Sequence, residues 1–295
     1  MNLSSRVTGM LLVAGSALAF GVMPVFVKVA YAAGASVYTT LFLRFVVGAL
    51  CIFPLMLVLR LPMPSRREII TFLLLGGIGY VAQSFFYFAA LEYTTASVVA
   101  LLLYTYPALV VFGSVLVFKE KITLSKAVAL VFALAGACVV SLGQLDGSII
   151  GAALALASAA SYTIYILINS HVVEGGKGIQ STAFIILGSV IVFGIMNLIV
   201  GFEPPTTTTG LLAIIAIGLV STAFSFWAFL TGLEKVGASN TAIISTLEPV
   251  TAVVCSVLFL SEPLTVNVVI GGCLVLAALL ITALSDRSQR RDTDE

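Results

Sequence analysis

The chain reads as an all-α, polytopic membrane protein of ten transmembrane helices, arranged as two inverted five-helix repeats. Three observations carry this. Apolar residues make up 60% of the 295 residues and charged ones only 9%, against about 25% charged in a soluble domain, and mean hydropathy is +1.19. Second, ten apolar runs near the roughly 20 residues that cross a bilayer follow one another through short connections. They lie at approximately 7–30, 36–59, 68–91, 95–118, 123–142, 148–171, 179–201, 209–233, 238–260 and 265–284. Backbone groups in lipid must bond internally, so these runs are helices. Third, the chain repeats itself. Pro107 recurs 142 residues later as Pro249. The same offset pairs Ser16 with Ser158, Gly34 with Gly176, Gly76 with Gly218, Glu92 with Glu234, Ser97 with Ser239, Glu120 with Glu262 and Thr123 with Thr265. A constant offset marks tandem copies, at 1–142 and 143–284, followed by a polar tail at 285–295.

Helix one opens like a secretion signal, with Arg6, an apolar run and Ala17-Leu18-Ala19, but its apolar run continues to Ala30, past a signal core. Helix two holds Arg44. Helix three carries Tyr80, Gln83, Ser84 and Tyr87 on one face, by the i, i+3, i+4 rule. Helix four has Tyr104, Tyr106 and Pro107. Helices five and ten are apolar and small, with Ala129, Ala133 and Ala137 in one and Gly271, Gly272 and Ala277 in the other. Helix six has a stripe of Ser158, Ser161, Tyr162, Tyr165 and Asn169. Helix eight has Ser221, Thr222, Ser225 and Trp227, and helix nine has Glu248-Pro249 near its middle.

Basic residues orient the bundle. Twelve of the fourteen Lys and Arg fall at the termini or in connections on one side, the exceptions being Lys28 and Arg44. Both termini are thus expected in the cytoplasm. Five helices per copy is an odd number, so the second copy starts from the opposite side and the repeat is inverted. That geometry suits a substrate site between two rocking halves.

Both copies end on one pattern: Tyr106-Pro107 to Glu120 and Ile122-Thr123, and Glu248-Pro249 to Glu262 and Leu264-Thr265. Ahead of them stand residues 90–97 and 232–239, and Leu43-Arg44-Phe45 fits in helix two. In these features the chain resembles the EamA branch of the drug/metabolite transporter superfamily, ten-helix exporters of duplicated five-helix units. In size and general character it is similar to the bacterial amino-acid exporters, aromatic ones included. Lys119 and Ser261 stand where that family often has Gly. The resemblance implies a multi-pass protein of the bacterial cytoplasmic (inner) membrane.

A charge at mid-bilayer costs roughly 2.5–3.5 kcal/mol on insertion scales, so Glu248 is either a substrate or coupling group or a structural acid, and Arg44 either a structural cation or a carboxylate binder. Pro24, Pro107 and Pro249 each remove a backbone donor. They free the carbonyls of Phe20, Leu103 and Ser245, as ligands or hinges. The expected substrate-binding set is Phe20, Tyr80, Gln83, Ser84, Tyr87, Tyr104, Ser158, Ser161, Tyr162, Tyr165, Thr222, Ser225, Ser245 and Glu248. Helices one, three, four, six, eight and nine would surround the cavity, with five and ten outside as braces or a homodimer face. So few interior cations suit a small neutral or zwitterionic solute, amino acids above all. A lipophilic cation countered by Glu248, another metabolite, and a channel are the alternatives. His171 is the only histidine, and no catalytic or metal constellation, ATP-binding loop or cofactor motif is present. A net charge of +1 gives nucleic acid no purchase. Proton antiport through Glu248 and simple exchange both remain open.

Overall fold

The structure is a computed structural model and describes residues 3–118, 124–142, 149–172 and 177–294. Lys119, Glu120, Lys121 and Thr123, the connection at 143–147 and Glu174 to Gly176 lie outside the described residues. The described residues form ten helical rods. Eight are long and apolar enough to cross a membrane, and Ala127–Val140 and Val266–Thr282 are shorter apolar helices.

Helix one is broken, Leu3–Gly21 and Met23–Ala32, at the residue pair before Pro24. Helix two, Val37–Val58, is continuous and carries Pro54 internally. Helix three runs from Arg66 to Tyr93 with a π-helical turn, Leu75–Tyr80, inside it. Helix four is broken, Ala96–Leu103 and Tyr106–Phe118. Helix five is Leu124–Leu142, helix six Ile149–Val172 and helix seven Gly178–Val200. Helix eight, Thr208–Val236, holds a second π-turn, Leu219–Phe224. Helix nine is broken, Ala238–Ser245 and Leu247–Leu260. Helix ten, Val266–Asp294, extends through the polar tail, where no Pro or Gly stops it.

Contacts between equivalent helices show the inversion directly. Helices two and seven pack antiparallel. Thr39 at the start of one bonds Asn197 near the end of the other (2.6 Å), Gly194 faces Phe42, and Gly48 faces Ile186 farther along. Helices five and ten also cross antiparallel, with Gly136 against the Gly271 carbonyl. Equivalent elements meeting head to tail place a two-fold axis between the copies. The remaining pairings obey it. Helix one lies along helix eight as helix six lies along helix three, and Ser16 donates to the Ser225 carbonyl (2.8 Å) as Ser158 donates to that of Gln83 (2.9 Å).

Small residues let these rods touch. A Cβ on Gly76 would sit 2.0 Å from the Ile185 carbonyl oxygen, and one on its counterpart Gly218 would sit 2.4 Å from Val47. The small faces of helices five and ten are likewise turned inward: Ala129, Ala133, Ala137, Gly271 and Gly272 are buried, Gly271 against Val140 of helix five and Gly272 against Leu101 of helix four. What those helices turn outward is larger, Val131 and Leu134 on one and Val269 and Ile270 on the other.

Glu262 joins the copies at the face opposite the termini. Its carboxylate accepts the backbone N–H of Ala96 (2.6 Å) and Ser97 (3.1 Å) and the Ser97 hydroxyl (2.8 Å), capping the first half of helix four as an acid at a helix N-terminus should. Ser261 before it adopts the left-handed conformation, φ 54 and ψ 31, that ends helix nine. This is the position where the resembled family often has Gly, and the turn is built on serine all the same. Lys28 is half-buried, and its Nζ donates to the Thr94 carbonyl (2.7 Å) at the end of helix three. On the terminus-bearing face Lys177 forms an ion pair with Glu68.

Two predictions follow from these contacts. Gly76→Ala should cost about 1–3 kcal/mol by overpacking against backbone that cannot yield, whereas Gly77→Ala, whose Cβ would meet its nearest neighbour at 3.4 Å, should cost far less; thermal unfolding in detergent compares them. Ser261→Gly relieves roughly 1–2 kcal/mol of left-handed strain and gives back about 0.5–1 kcal/mol in chain entropy, so the melting point should rise modestly.

Candidate functional site

A cavity of about 440 Å³ lies between the copies, lined from helices one, two, three, four, six, eight, nine and ten, within the range of small-molecule sites. It starts near mid-membrane and extends toward the terminus-bearing face. Its lining there includes Val111, Ile166, Leu233, Thr241 and Thr282, all in the halves of their helices nearest that face.

Helix three places its whole polar face on the cavity: Tyr80, Gln83, Ser84 and Tyr87 all line it. The π-turn ending at Tyr80 widens the helix just before this stripe; such insertions are frequent at functional sites. Phe20, Tyr104, Tyr162, Ser245 and Glu248 line it too, with Pro107. The helix breaks explain several of these. Helix four stops at Leu103 because Pro107 has no N–H, and helix nine stops at Ser245 for the same reason at Pro249. Tyr104 and Thr246 stand at equivalent points of the two gaps, and Leu103, Tyr104, Ser245 and Thr246 all face the cavity. Pro24 and Pro249 themselves are buried, outside the lining.

Five expected residues are elsewhere. Ser158 and Ser225 are fully buried. Ser158 bonds the Gln83 carbonyl and Ser225 the Val220 carbonyl, so these serines hold helices and do not line the cavity. Thr222, also fully buried, donates to the Ile217 carbonyl and accepts from Arg44. Ser161 is not in the lining. Tyr165 stands behind Tyr162, ring planes 9° apart and centroids 5.9 Å apart. Helix ten, expected outside, reaches the cavity through Leu279 and Thr282. Sequence inspection also missed Ser16, Thr241 and Phe226 as wall residues, and Tyr106, noted only as the counterpart of Glu248, is one as well. A stripe of small hydroxyls looks alike whether it faces a neighbouring helix or water.

Arg44 is 3% exposed and forms part of the wall. Its Nε donates to the Thr222 hydroxyl (3.0 Å), and Tyr80 stands with it on the cavity wall. The cation lies over the rings of Phe45 (5.0 Å) and Phe88 (5.2 Å). Thr222 belongs to helix eight of one copy and Phe88 to helix three of the other, so one arginine is held by both copies. No carboxylate among the described residues forms an ion pair with it. In particular Glu248 does not. That acid stands with Tyr104 on the cavity wall, at the break of helix nine. Beside these two charges runs an aromatic wall. Tyr106 meets Tyr162 edge-on at 4.6 Å, Tyr104 packs on Tyr106 at 6.0 Å, and Tyr80 joins Tyr165 at 5.6 Å and Phe226 at 6.4 Å. Among the described residues no cluster could hold a metal ion.

Removing the Thr222 hydroxyl should leave a guanidinium N–H unsatisfied in the interior. Thr222→Val is therefore expected to lose about 1–3 kcal/mol in detergent unfolding, with Thr222→Ser close to wild type.

A profile of the EamA-like transporter family matches residues 7–142 and 149–284, once for each copy. An uncharacterized transporter of Bacillus subtilis, YcbK, is 27% identical over 271 residues, covering 85% of each chain. An uncharacterized transporter of Archaeoglobus fulgidus is 28% identical over 266 residues, covering 90% of this chain and 93% of the other. A solved crystal structure superposes with a TM-score of 0.67 at 17% identity, covering 95% of this chain and 98% of that one, which speaks to the fold alone. With two matched repeats, antiparallel counterpart helices and a cavity between them, the chain belongs to the EamA-like transporter family.

Proposed function

We propose that this transporter is a secondary carrier that exports small zwitterionic or neutral metabolites, amino acids with bulky and aromatic side chains foremost, by presenting its cavity to each face of the membrane in turn. The observation that carries the reading is Arg44: a buried cation in the cavity wall with no carboxylate partner among the described residues. Such a charge is costly in the bilayer and its fork matches a carboxylate. A substrate carboxylate supplies the missing partner. The substrate ammonium then goes to Glu248, helped by the Leu103 and Ser245 carbonyls that Pro107 and Pro249 leave free. Tyr106, Tyr162 and Phe226 supply apolar and edge-on aromatic contacts for the side chain. A lone lipophilic cation would leave Arg44 unneutralised, which disfavours that alternative. By the distribution of basic residues the termini lie in the cytoplasm, so a cavity reaching that face takes its load from inside, as export requires. A bacterial inner-membrane location fits this orientation.

The test is counterflow in proteoliposomes with labelled phenylalanine, tryptophan and leucine, with phenethylamine as the carboxylate-free analogue. Trapped unlabelled amino acid should accelerate entry of label. Arg44→Gln should reduce amino-acid exchange by roughly tenfold or more, the scale of a lost charge-assisted contact, and leave phenethylamine exchange little changed. Glu248→Gln should reduce both. Wild-type exchange of amino acids by Arg44→Gln, once folding is verified by size-exclusion chromatography, would remove the basis of the assignment.

A further inference from the structure

The two-fold relates two seams between helices four and nine, and the seams differ. On the face opposite the termini, Ala96–Leu103 packs against Leu247–Leu260. The equivalent seam would join Tyr106–Phe118 to Ala238–Ser245. Among the described residues no comparable contact joins those two halves, and the cavity passes between them: Tyr106, Pro107, Val110 and Val111 line it from one side, Thr241 and Ser245 from the other. One seam is shut and its counterpart is parted.

The shut seam has a fastening that the hydrophobic contacts alone do not supply. Glu262 leaves the end of helix nine and takes three donors at the start of helix four, the N–H groups of Ala96 and Ser97 and the Ser97 hydroxyl. The carboxylate comes from one copy and all three donors from the other. Lys28 ties the Thr94 carbonyl two residues before. Any motion that parts this seam must break the Glu262 contacts first, because they sit at its rim, beyond the last cavity residues Leu103 and Glu248.

We propose that Glu262 and Ser97 form a latch between the repeats that holds the cavity closed on the face away from the termini. Releasing it allows the cavity to be exposed there. The latch rests on the two-sided access proposed above, yet its readout needs no substrate.

The experiment uses the full chain with Cys51, Cys138, Cys255 and Cys273 replaced by serine or alanine and a single reporter, Leu103→Cys, at the deep end of the cavity. A membrane-impermeant thiol reagent is applied to vesicles of each orientation. The reporter should react from the terminus-bearing face. Glu262→Gln should shift the ratio of labelling from the two faces roughly tenfold toward the opposite face, as a lost charge-assisted bond would; Ser97→Ala, which removes one donor of three, should shift it in the same direction by less. Both variants should remain monodisperse and bind detergent as wild type does. An unchanged ratio in folded Glu262→Gln, or equal gains from both faces, would overturn the latch. Absence of amino-acid counterflow in the parent protein would instead overturn the carrier reading, and the two failures are separately visible.

Discussion

In a hydrocarbon solvent every backbone donor and acceptor must be satisfied by the protein itself, and this constraint shapes the molecule. It makes each crossing a helix, and it decides where a helix can stop. Helices one, four and nine stop in mid-membrane, each a few residues before a proline. Carbonyls released there are tolerable only beside protein or a wet cavity. Phe20, Leu103 and Ser245, the residues four positions ahead of the three prolines, all line the cavity. Pro54 makes the contrast: it lies within helix two, is exposed, and leaves the rod unbroken.

The scaffold obeys the two-fold while the chemistry departs from it. Both copies have the π-turn, the glycine that lets helix three or eight meet helix seven or two, and the serine that bonds a carbonyl across the copies. The charges of the cavity wall do not repeat. Arg44 has Ile186 as its counterpart, Glu248 has Tyr106, and Tyr80 has Thr222. A symmetric frame can present two related conformations at similar energy, because the same packing is available in mirror roles. An asymmetric lining lets one solute be bound in a single orientation in either of them.

Fold was legible in the sequence because its signals are long: twenty-residue apolar runs and a 142-residue offset average over local ambiguity. The polar face of helix three was legible for a related reason, since four large polar residues at helical spacing in lipid must face something wet or hydrogen-bonded. Helix six carries a similar stripe, and there most of it is used differently. Only Tyr162 of its serines and tyrosines reaches the cavity, because Ser158 is taken by the Gln83 carbonyl and Tyr165 is screened by Tyr162. The i, i+3 pattern reports which residues share a face and is silent about the neighbour that face meets. The π-turns left no periodic signature, and helix ten reached the cavity through Leu279 and Thr282, residues with no polar pattern to announce them. Glu120 and Glu262 were visible only as marks of the repeat. The structure gives Glu262 its task, while Glu120 lies outside the described residues.

The difference between the two seams is an energetic statement as well as a geometric one. Burying the contact between Ala96–Leu103 and Leu247–Leu260 removes little apolar surface from water, since lipid is as apolar as leucine. Helix association in a bilayer rests instead on close packing and hydrogen bonds. Three hydrogen bonds to one carboxylate at the rim therefore add to that seam a directional hold that apolar burial does not supply. A conformational balance set by so few polar contacts can be tipped by small changes in binding energy elsewhere. Neutralising Arg44 with a carboxylate in the cavity is a change of that size, and it acts on the residue gripped by both copies. On the proposed carrier reading, a carboxylate on Arg44 would bias the choice of seam through a side chain that touches Phe88 of helix three and Thr222 of helix eight.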